Sequence, residues 1–144
     1  MTETIVVGYD GSESADRALN FAAVRAKSQG ASVTVVHVLE WSPYAFLTPQ
    51  EIEERHARRT EELSRAKSAV VASALETLSA AGVEASADIK YGHIADTICS
   101  IASDSNATQI VIGRTGHSTL SSRLFGSVAG TLAQASPVPV TIVP

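Results

Sequence analysis

Two turns of the chain bring together the residue types that bind anions. The first is Gly8-Tyr9-Asp10-Gly11-Ser12, and the second runs from Gly113 to Gly126, directly before Ser127. Glycine allows a backbone to approach a ligand closely, and the N–H groups and dipole at the start of a helix favour negative charge. Both turns are therefore candidate phosphate-binding elements. The second also contains hydroxyl and cationic side chains: Arg114, Thr115, His117, Ser118, Thr119, Ser121, Ser122 and Arg123.

The better-known motifs for phosphate binding and nucleophilic catalysis are absent from these turns. No lysine follows the glycines as it does in a P-loop, and no G-x-G-x-x-G follows a strand. The run Gly126-Ser127-Val128-Ala129-Gly130 places its serine one position too early for a nucleophile elbow. What remains is Gly113-x-x-Gly116, then nine residues, then Gly126-Ser127. These residues alone are equally consistent with a phosphate-binding loop and with a polar loop that binds nothing.

Apolar runs alternate with helical patterns along the sequence and indicate what positions the two turns. The predicted strands are 5–7, 32–39, 83–91, 108–112 and 138–143, and the predicted helices are 13–29, 50–81, 94–105 and 127–135. Short β-branched runs that are apolar on both faces are typical of a buried parallel sheet. This order predicts an α/β three-layer sandwich. Ligands of such sheets bind beyond the carboxyl ends of the strands, where both turns are expected to lie.

The longest predicted helix, 50–81, has two unlike halves. Charged residues crowd 51–65, and we expect this half to project or fray, as a solvated face or as a docking surface for a partner. Apolar residues at helical spacing give the second half its buried face: Val70, Val71, Leu75 and Leu78. Two prolines predict an irregular loop over 40–49, with Trp41, Tyr44 and Phe46 near its tip.

The composition excludes several classes of protein. The 144 residues predict one domain over 1–144, and 44% hydrophobic against 18% charged residues excludes a disordered chain. A net charge of −4 without a basic block argues against a nucleic-acid partner. No apolar run reaches the roughly 18 residues of a membrane span, so we expect no membrane insertion. The single cysteine, Cys99, and an N-terminus without signal-peptide features predict a cytoplasmic protein.

The spacing G-x-x-G-x(9)-G-[ST], with Asp10-Gly11-Ser12 ahead of it, resembles that of the universal stress protein family in its ATP-binding branch. The resemblance covers the whole chain, including the apolar ending 138–143. It implies an adenine nucleotide alpha hydrolase-like fold, with a five-stranded parallel sheet in the order 3-2-1-4-5. That order places the reversal between strands one and four, where the two turns begin.

The same resemblance implies roles for individual residues. Gly8, Tyr9 and Asp10 would border the ribose and adenine, with Asp10 on a ribose hydroxyl or, indirectly, on a divalent metal. The backbone of Val38 would meet the adenine edge. The loop glycines would wrap the phosphates, and Arg114 stands where the family often has serine. The implied nucleotide-binding set is Gly8, Tyr9, Asp10, Val38, Ile112, Gly113, Arg114, Thr115, Gly116, His117, Ser118, Thr119, Gly126, Ser127 and Val128.

The expected function is that of an ATP-binding module in stress signalling, with ATP, with or without Mg²⁺, as its ligand. We expect at most slow hydrolysis, because Asp10 is the one candidate general base and the sequence offers no fixed metal cage of the kind phosphoryl transfer needs. Family members can autophosphorylate, which makes Ser122 and Ser127 candidate acceptors. A sensor of AMP or cyclic AMP would use the same pocket. An ATP pyrophosphatase-like enzyme is a further alternative, since Asp10 to Ser14 distantly resembles the S-G-G-x-D-S loop of that class.

The sequence also predicts a dimer interface and the surroundings of the cysteine and the histidines. An apolar edge strand invites pairing, and in the family the last strand pairs with its twin; this predicts a homodimer through Val138, Val140 and Ile142. We expect Cys99 to be a buried, inert thiol. The histidines divide into structural, solvated and loop positions: His37 in the core or at its rim, His56 in solvent, and His93 and His117 within reach of phosphate.

Overall fold

The computed structural model describes residues 3–39, 49–115 and 127–144. Within these ranges the chain has five parallel strands: β1 (Thr4–Gly8), β2 (Ser32–Leu39), β3 (Ala85–Tyr91), β4 (Gln109–Gly113) and β5 (Val140–Val143). They form one sheet in the order β3-β2-β1-β4-β5, which confirms the predicted topology. Because β1 lies between β2 and β4, the direction in which strands are added reverses on its two sides.

Helices cover both faces of this sheet. They are α1 (Glu13–Gln29), α2 (Pro49–Ala66), a π-helical segment (Lys67–Val71), α3 (Ala72–Ala80), α4 (Ile94–Asp104) and α5 (Ser127–Ala135). The ends of α1 are the predicted ones. The Ser12 hydroxyl accepts the Ala15 N–H at 3.1 Å, and Gly30 closes the helix at a φ of 66° that suits glycine.

The two faces have separate cores because successive residues of a strand point to opposite sides. On one side, Ile5 and Val7 pack with residues of α1 and α3. On the other, Val6 packs with residues of α4 and α5. Both faces of the central strand are thus buried, as its uniformly apolar sequence predicts.

The predicted helix 50–81 is continuous but changes character at the π-helical segment. Its first half is helical and exposed: Ile52 is 55% exposed, whereas Leu78 in α3 is completely buried. An ion pair between Glu61 and Arg65, 3.1 Å apart and four residues apart along α2, supports the helix locally. Pro49 begins α2 instead of belonging to the loop, since proline is tolerated at a helix start. The rest of the aromatic loop, 40–48, lies outside the described residues.

Two strands begin two residues later than predicted, and the other strand bounds differ by at most one residue. β3 begins at Ala85 because Val83 donates its N–H to the Leu78 carbonyl at the end of α3. β5 begins at Val140, and Val138 is not part of it. A hydrogen-bonded turn between Ser136 and Val138 holds that residue before the strand begins. Val138 is therefore wrong as a residue of the strand proposed for dimerisation, whereas Val140 and Ile142 are correctly placed.

Within the described ranges, no helix is both long enough and apolar enough to cross a membrane.

Candidate functional site

The first glycine-containing turn and the start of the second lie beside each other at the carboxyl edge of the sheet. The last residue of β1, Gly8, is in register with Ile112, and Gly113 then ends β4. The sequence prediction that these turns meet at the point of strand-order reversal is confirmed for the described residues. This is the position at which open α/β sheets bind ligands.

The first turn is organised around the Asp10 carboxylate. Asp10 Oδ1 accepts the Ser12 N–H at 2.9 Å, and Gly11 has a φ of 81°, which glycine adopts without strain. Ser12 then caps α1. The turn thus holds a half-buried carboxylate directly in front of the start of a helix.

Tyr9 is held at both its backbone and its side chain. Its N–H donates to the Val36 carbonyl at 2.9 Å, and its own carbonyl lies 2.8 Å from His37 Nδ1. The buried phenol packs with α1 and donates to Asp16 Oδ1 at 2.5 Å. The ring therefore belongs to the core, and the predicted role of Tyr9 beside a ligand is restricted to contact with its backbone. His37 has the structural role that the sequence predicted at the rim of the core.

The Tyr9→Phe variant should lose stability at neutral pH and lose pH sensitivity in alkaline solution. Burial, together with the hydrogen bond to Asp16 and the negative charges of Asp16 and Asp10, raises the pKa of Tyr9 well above its usual 10.0. The folded state then keeps a proton that the unfolded chain releases above pH 10, so this contribution to stability falls as pH rises. Urea unfolding at pH 8 and pH 10.5 measures both effects. A wild type that declines no more steeply than the variant would contradict the assignment.

At the end of β2, the backbone groups on the β1 side of the strand face the same site. On its β1 side, β2 is paired as far as Val36, which accepts the Tyr9 N–H. Backbone groups two residues apart point the same way, so the N–H and carbonyl of Val38 face the space beyond the end of β1. The other side of β2 continues to pair with β3, with Val38 opposite Lys90. A planar heterocycle could therefore hydrogen-bond to Val38 without breaking the sheet.

Gly113 has a packing role that the sequence did not reveal. A Cβ at this position would lie 2.7 Å from the backbone carbon and oxygen of Ser14, and 2.5 Å from its Oγ. The end of β4 and the first turn of α1 are thus in direct backbone contact. Ser14 itself was missed as a site residue, since a serine in the first turn of a helix has an ordinary local explanation and its contact is 101 residues away along the chain.

The second turn is described only at its two ends. Arg114 is exposed and donates its N–H to the Val143 carbonyl at 2.8 Å, and Thr115 donates its N–H to Ser14 Oγ at 3.1 Å. At the far end, Ser127 is exposed at the start of α5. The remaining predicted residues of this turn lie outside the described residues: Gly116, His117, Ser118, Thr119, Ser122 and Gly126.

Two predicted nucleotide-binding side chains belong to the core between the sheet and the helices α4 and α5. Ile112 is buried there, and the half-buried Val128 packs against the same cluster. Their backbones remain at the carboxyl edge and at the start of α5, respectively. Any contribution of these two residues to a ligand is therefore expected from the backbone.

Of the remaining histidines that the structure describes, one lies at the carboxyl edge of the sheet and one does not. His93 is exposed directly before α4, at the same edge of the sheet, and His56 is exposed on α2.

Cys99 is half-buried, so the expectation of full burial was wrong, since one side of α4 at this position reaches solvent. Desolvation, and next the charge of Asp96, raise the pKa of its thiol, which agrees with an unreactive cysteine. The described residues contain no group of three or more His, Cys, Asp or Glu side chains placed to hold a metal ion.

The model of the universal stress protein family matches residues 1–144. A universal stress protein of Thermus aquaticus is 31% identical over 144 residues, which cover 99% of each chain. A crystal structure of a universal stress protein in complex with cAMP is 25% identical, with a TM-score of 0.72 and coverage of 99% and 97% of the two chains. The universal stress protein of Archaeoglobus fulgidus in complex with dAMP is 26% identical, with a TM-score of 0.69 and coverage of 99% and 98%.

The family match covers all of the chain that forms the five-stranded sheet and its carboxyl edge. This chain belongs to the universal stress protein family.

Proposed function

We propose that this protein is an ATP-binding module of stress signalling, which holds the nucleotide at the carboxyl edge of the sheet beside β1. The observation that carries the proposal is the juxtaposition of three elements at this edge. They are the Asp10 turn, the backbone of Val38 on the β1 side of β2, and Gly113, where the second turn leaves β4. Relatives about one quarter identical to this chain have been solved with cAMP and dAMP, which supports an adenine nucleotide as the ligand.

Each part of the edge suits a part of a nucleotide. The backbone N–H and carbonyl of Val38 match the donor and acceptor edge of adenine. The Asp10 carboxylate is an acceptor for ribose hydroxyls, and its orientation is fixed by the Ser12 N–H. The exposed Ser127 at the start of α5 offers a hydroxyl and a helix N-terminus to a phosphate. When ATP is bound, Mg²⁺ would be held mainly by its phosphate oxygens.

Slow hydrolysis or autophosphorylation, with Ser122 or Ser127 as acceptor, is part of this proposal. A sensor of AMP or cAMP is the second candidate, which the cAMP and dAMP complexes of relatives favour. Calorimetric titration with ATP in the presence and absence of Mg²⁺, with AMP and with cAMP separates the two by relative affinity. A wild type that binds none of them, and that carries no nucleotide from purification, would overturn both. The proposal places this single domain in the cytoplasm.

The Asp10→Asn variant should bind AMP roughly tenfold to a hundredfold more weakly than the wild type, since a hydrogen bond to a charged group contributes about 1.5–3 kcal/mol. The asparagine oxygen can still accept the Ser12 N–H, so the turn itself should persist. Calorimetry with AMP, dAMP and cAMP measures the effect. If Asp10 accepts the 2′-hydroxyl, the variant should lose little affinity for dAMP, which lacks that group.

A matched variant separates the ribose contact from a general effect of charge. Asp104 is exposed at the end of α4, at the opposite edge of the sheet, and Asp104→Asn removes the same charge there. A loss shared by AMP and dAMP but not by cAMP, whose 3′ oxygen is esterified, would assign the contact to the 3′-hydroxyl. Equal affinities of the Asp10 variant and the wild type for all three ligands would remove Asp10 from the site.

We also propose a homodimer through β5. This strand is the outermost one on one side of the sheet, and Val140 and Ile142 are only half-buried in the isolated chain. An unpaired apolar edge favours association. Light scattering should give twice the 15.0 kDa of the chain. A monomer at micromolar concentration would refute this part of the proposal without affecting the nucleotide site.

A further inference from the structure

We infer that Ser14 is a positioning residue of the nucleotide site. Its hydroxyl holds the backbone at Thr115, where the second turn leaves the sheet next to the Asp10 turn, and so favours binding of a phosphate group there. This inference rests on the proposed function. It concerns a residue that neither the motif spacing nor its local helical context singled out.

The first observation is the environment of the Ser14 side chain. Ser14 is 2% exposed and lies in the first turn of α1, immediately after the Asp10–Ser12 turn. Its Oγ accepts the Thr115 N–H at 3.1 Å. A partly buried backbone N–H gains stability from an acceptor, so this hydrogen bond links α1 to the start of the second turn.

The second observation is the absence of free space around this contact. Gly113 touches the backbone of Ser14 so closely that a Cβ would overlap it. On the other side, the Arg114 N–H donates to the Val143 carbonyl of β5 at 2.8 Å. Two successive N–H groups are therefore held by different elements, α1 for Thr115 and β5 for Arg114. This fixes both the position and the direction of the chain at Thr115.

The consequence concerns phosphate and not the base. The residues predicted to bind phosphate are Gly113, which touches Ser14, and residues that follow Thr115 in sequence, whereas Asp10 precedes Ser14 and Val38 lies on β2. Loss of the Ser14 hydroxyl should therefore weaken binding of the phosphate-bearing ligand and leave the contribution of the nucleoside unchanged. A residue that merely supports the fold would affect adenosine and AMP alike.

The experiment is a calorimetric titration of the wild type, Ser14→Ala and Ser105→Ala with adenosine and with AMP. Ser105 is the matched control, because its hydroxyl bonds the Ile101 carbonyl at the opposite edge of the sheet. We expect Ser14→Ala to weaken AMP binding about three- to tenfold, as for the loss of one hydrogen bond, without changing adenosine binding. Ser105→Ala should bind both ligands as the wild type does.

Amide hydrogen exchange of the peptide that contains Thr115 provides a readout without any ligand. Exchange at this amide should be faster in Ser14→Ala than in the wild type or in Ser105→Ala. Unchanged exchange together with unchanged AMP affinity would overturn the inference, and so would an equal loss for adenosine and AMP. A wild type that binds no nucleotide would overturn the proposed function and the positioning role with it, and faster exchange would then identify Ser14 as a structural anchor only.

Discussion

Replacement of Gly113 by alanine should lower the stability of the protein by about 3 kcal/mol or more, at the upper end of the cost of overpacking a core. The added Cβ would lie 2.7 Å from the backbone carbon and oxygen of Ser14. A flexible side chain could rotate away from such a contact, but the first turn of α1 cannot. Relief would require α1 to move from the end of β4, and so would separate the two turns of the proposed site.

Thermal unfolding followed by circular dichroism measures this effect, with Gly130→Ala as the matched control. A Cβ at Gly130, inside α5, would meet nothing within 4 Å. Alanine there should leave the protein equally stable or stabilise it by up to about 1 kcal/mol, since glycine is unfavourable inside a helix. Equal melting temperatures for Gly113→Ala and the wild type would show that the contact between β4 and α1 adapts easily.

The sequence predicted the architecture because its local signals agreed with one another. Short apolar runs, the Ser12 cap and Gly30 indicated strands and helix ends independently, and the structure has them at or near those positions. The meeting of the two turns followed from topology, since the carboxyl ends of parallel strands share one edge of the sheet. None of these conclusions depended on knowing which side chains touch.

The sequence could not predict the contacts made over long distances along the chain. Tyr9 stands in a turn of the site, yet its ring packs into the core because α1 presents Asp16 to its hydroxyl. Ser14 bonds to Thr115 across the boundary between α1 and β4. In both cases the residue type is common at such local positions, and its role depends on an element placed beside it by the fold. Val138 was assigned to β5 for the opposite reason, since its apolar type continued the pattern of a strand that a local turn delays.

These contacts explain how a small sheet brings together the two distant parts of the chain that form the proposed site. The Asp10 turn is fixed by its own backbone, by the Ser12 cap and by the contacts of Tyr9 with β2. The start of the second turn is fixed by α1 and β5. The described part of the proposed site is thus held in place by contacts within the chain, and such preorganisation would lower the entropic cost of binding a ligand there.

Truncation of Leu78 to alanine should destabilise the protein by about 2–5 kcal/mol, whereas the same truncation of Ile52 should change its stability by less than about 0.5 kcal/mol. The two residues belong to the two halves of one continuous helical stretch, but Leu78 is completely buried against α1 and the sheet, and Ile52 is 55% exposed. Urea unfolding measures both values on the same scale. If Ile52→Ala proved as costly as Leu78→Ala, α2 would be an integral part of the folded core. If the contrast is as expected, the charged residues of α2 can be substituted without unfolding the protein. A docking role of this surface would then be tested by binding experiments and not by stability measurements.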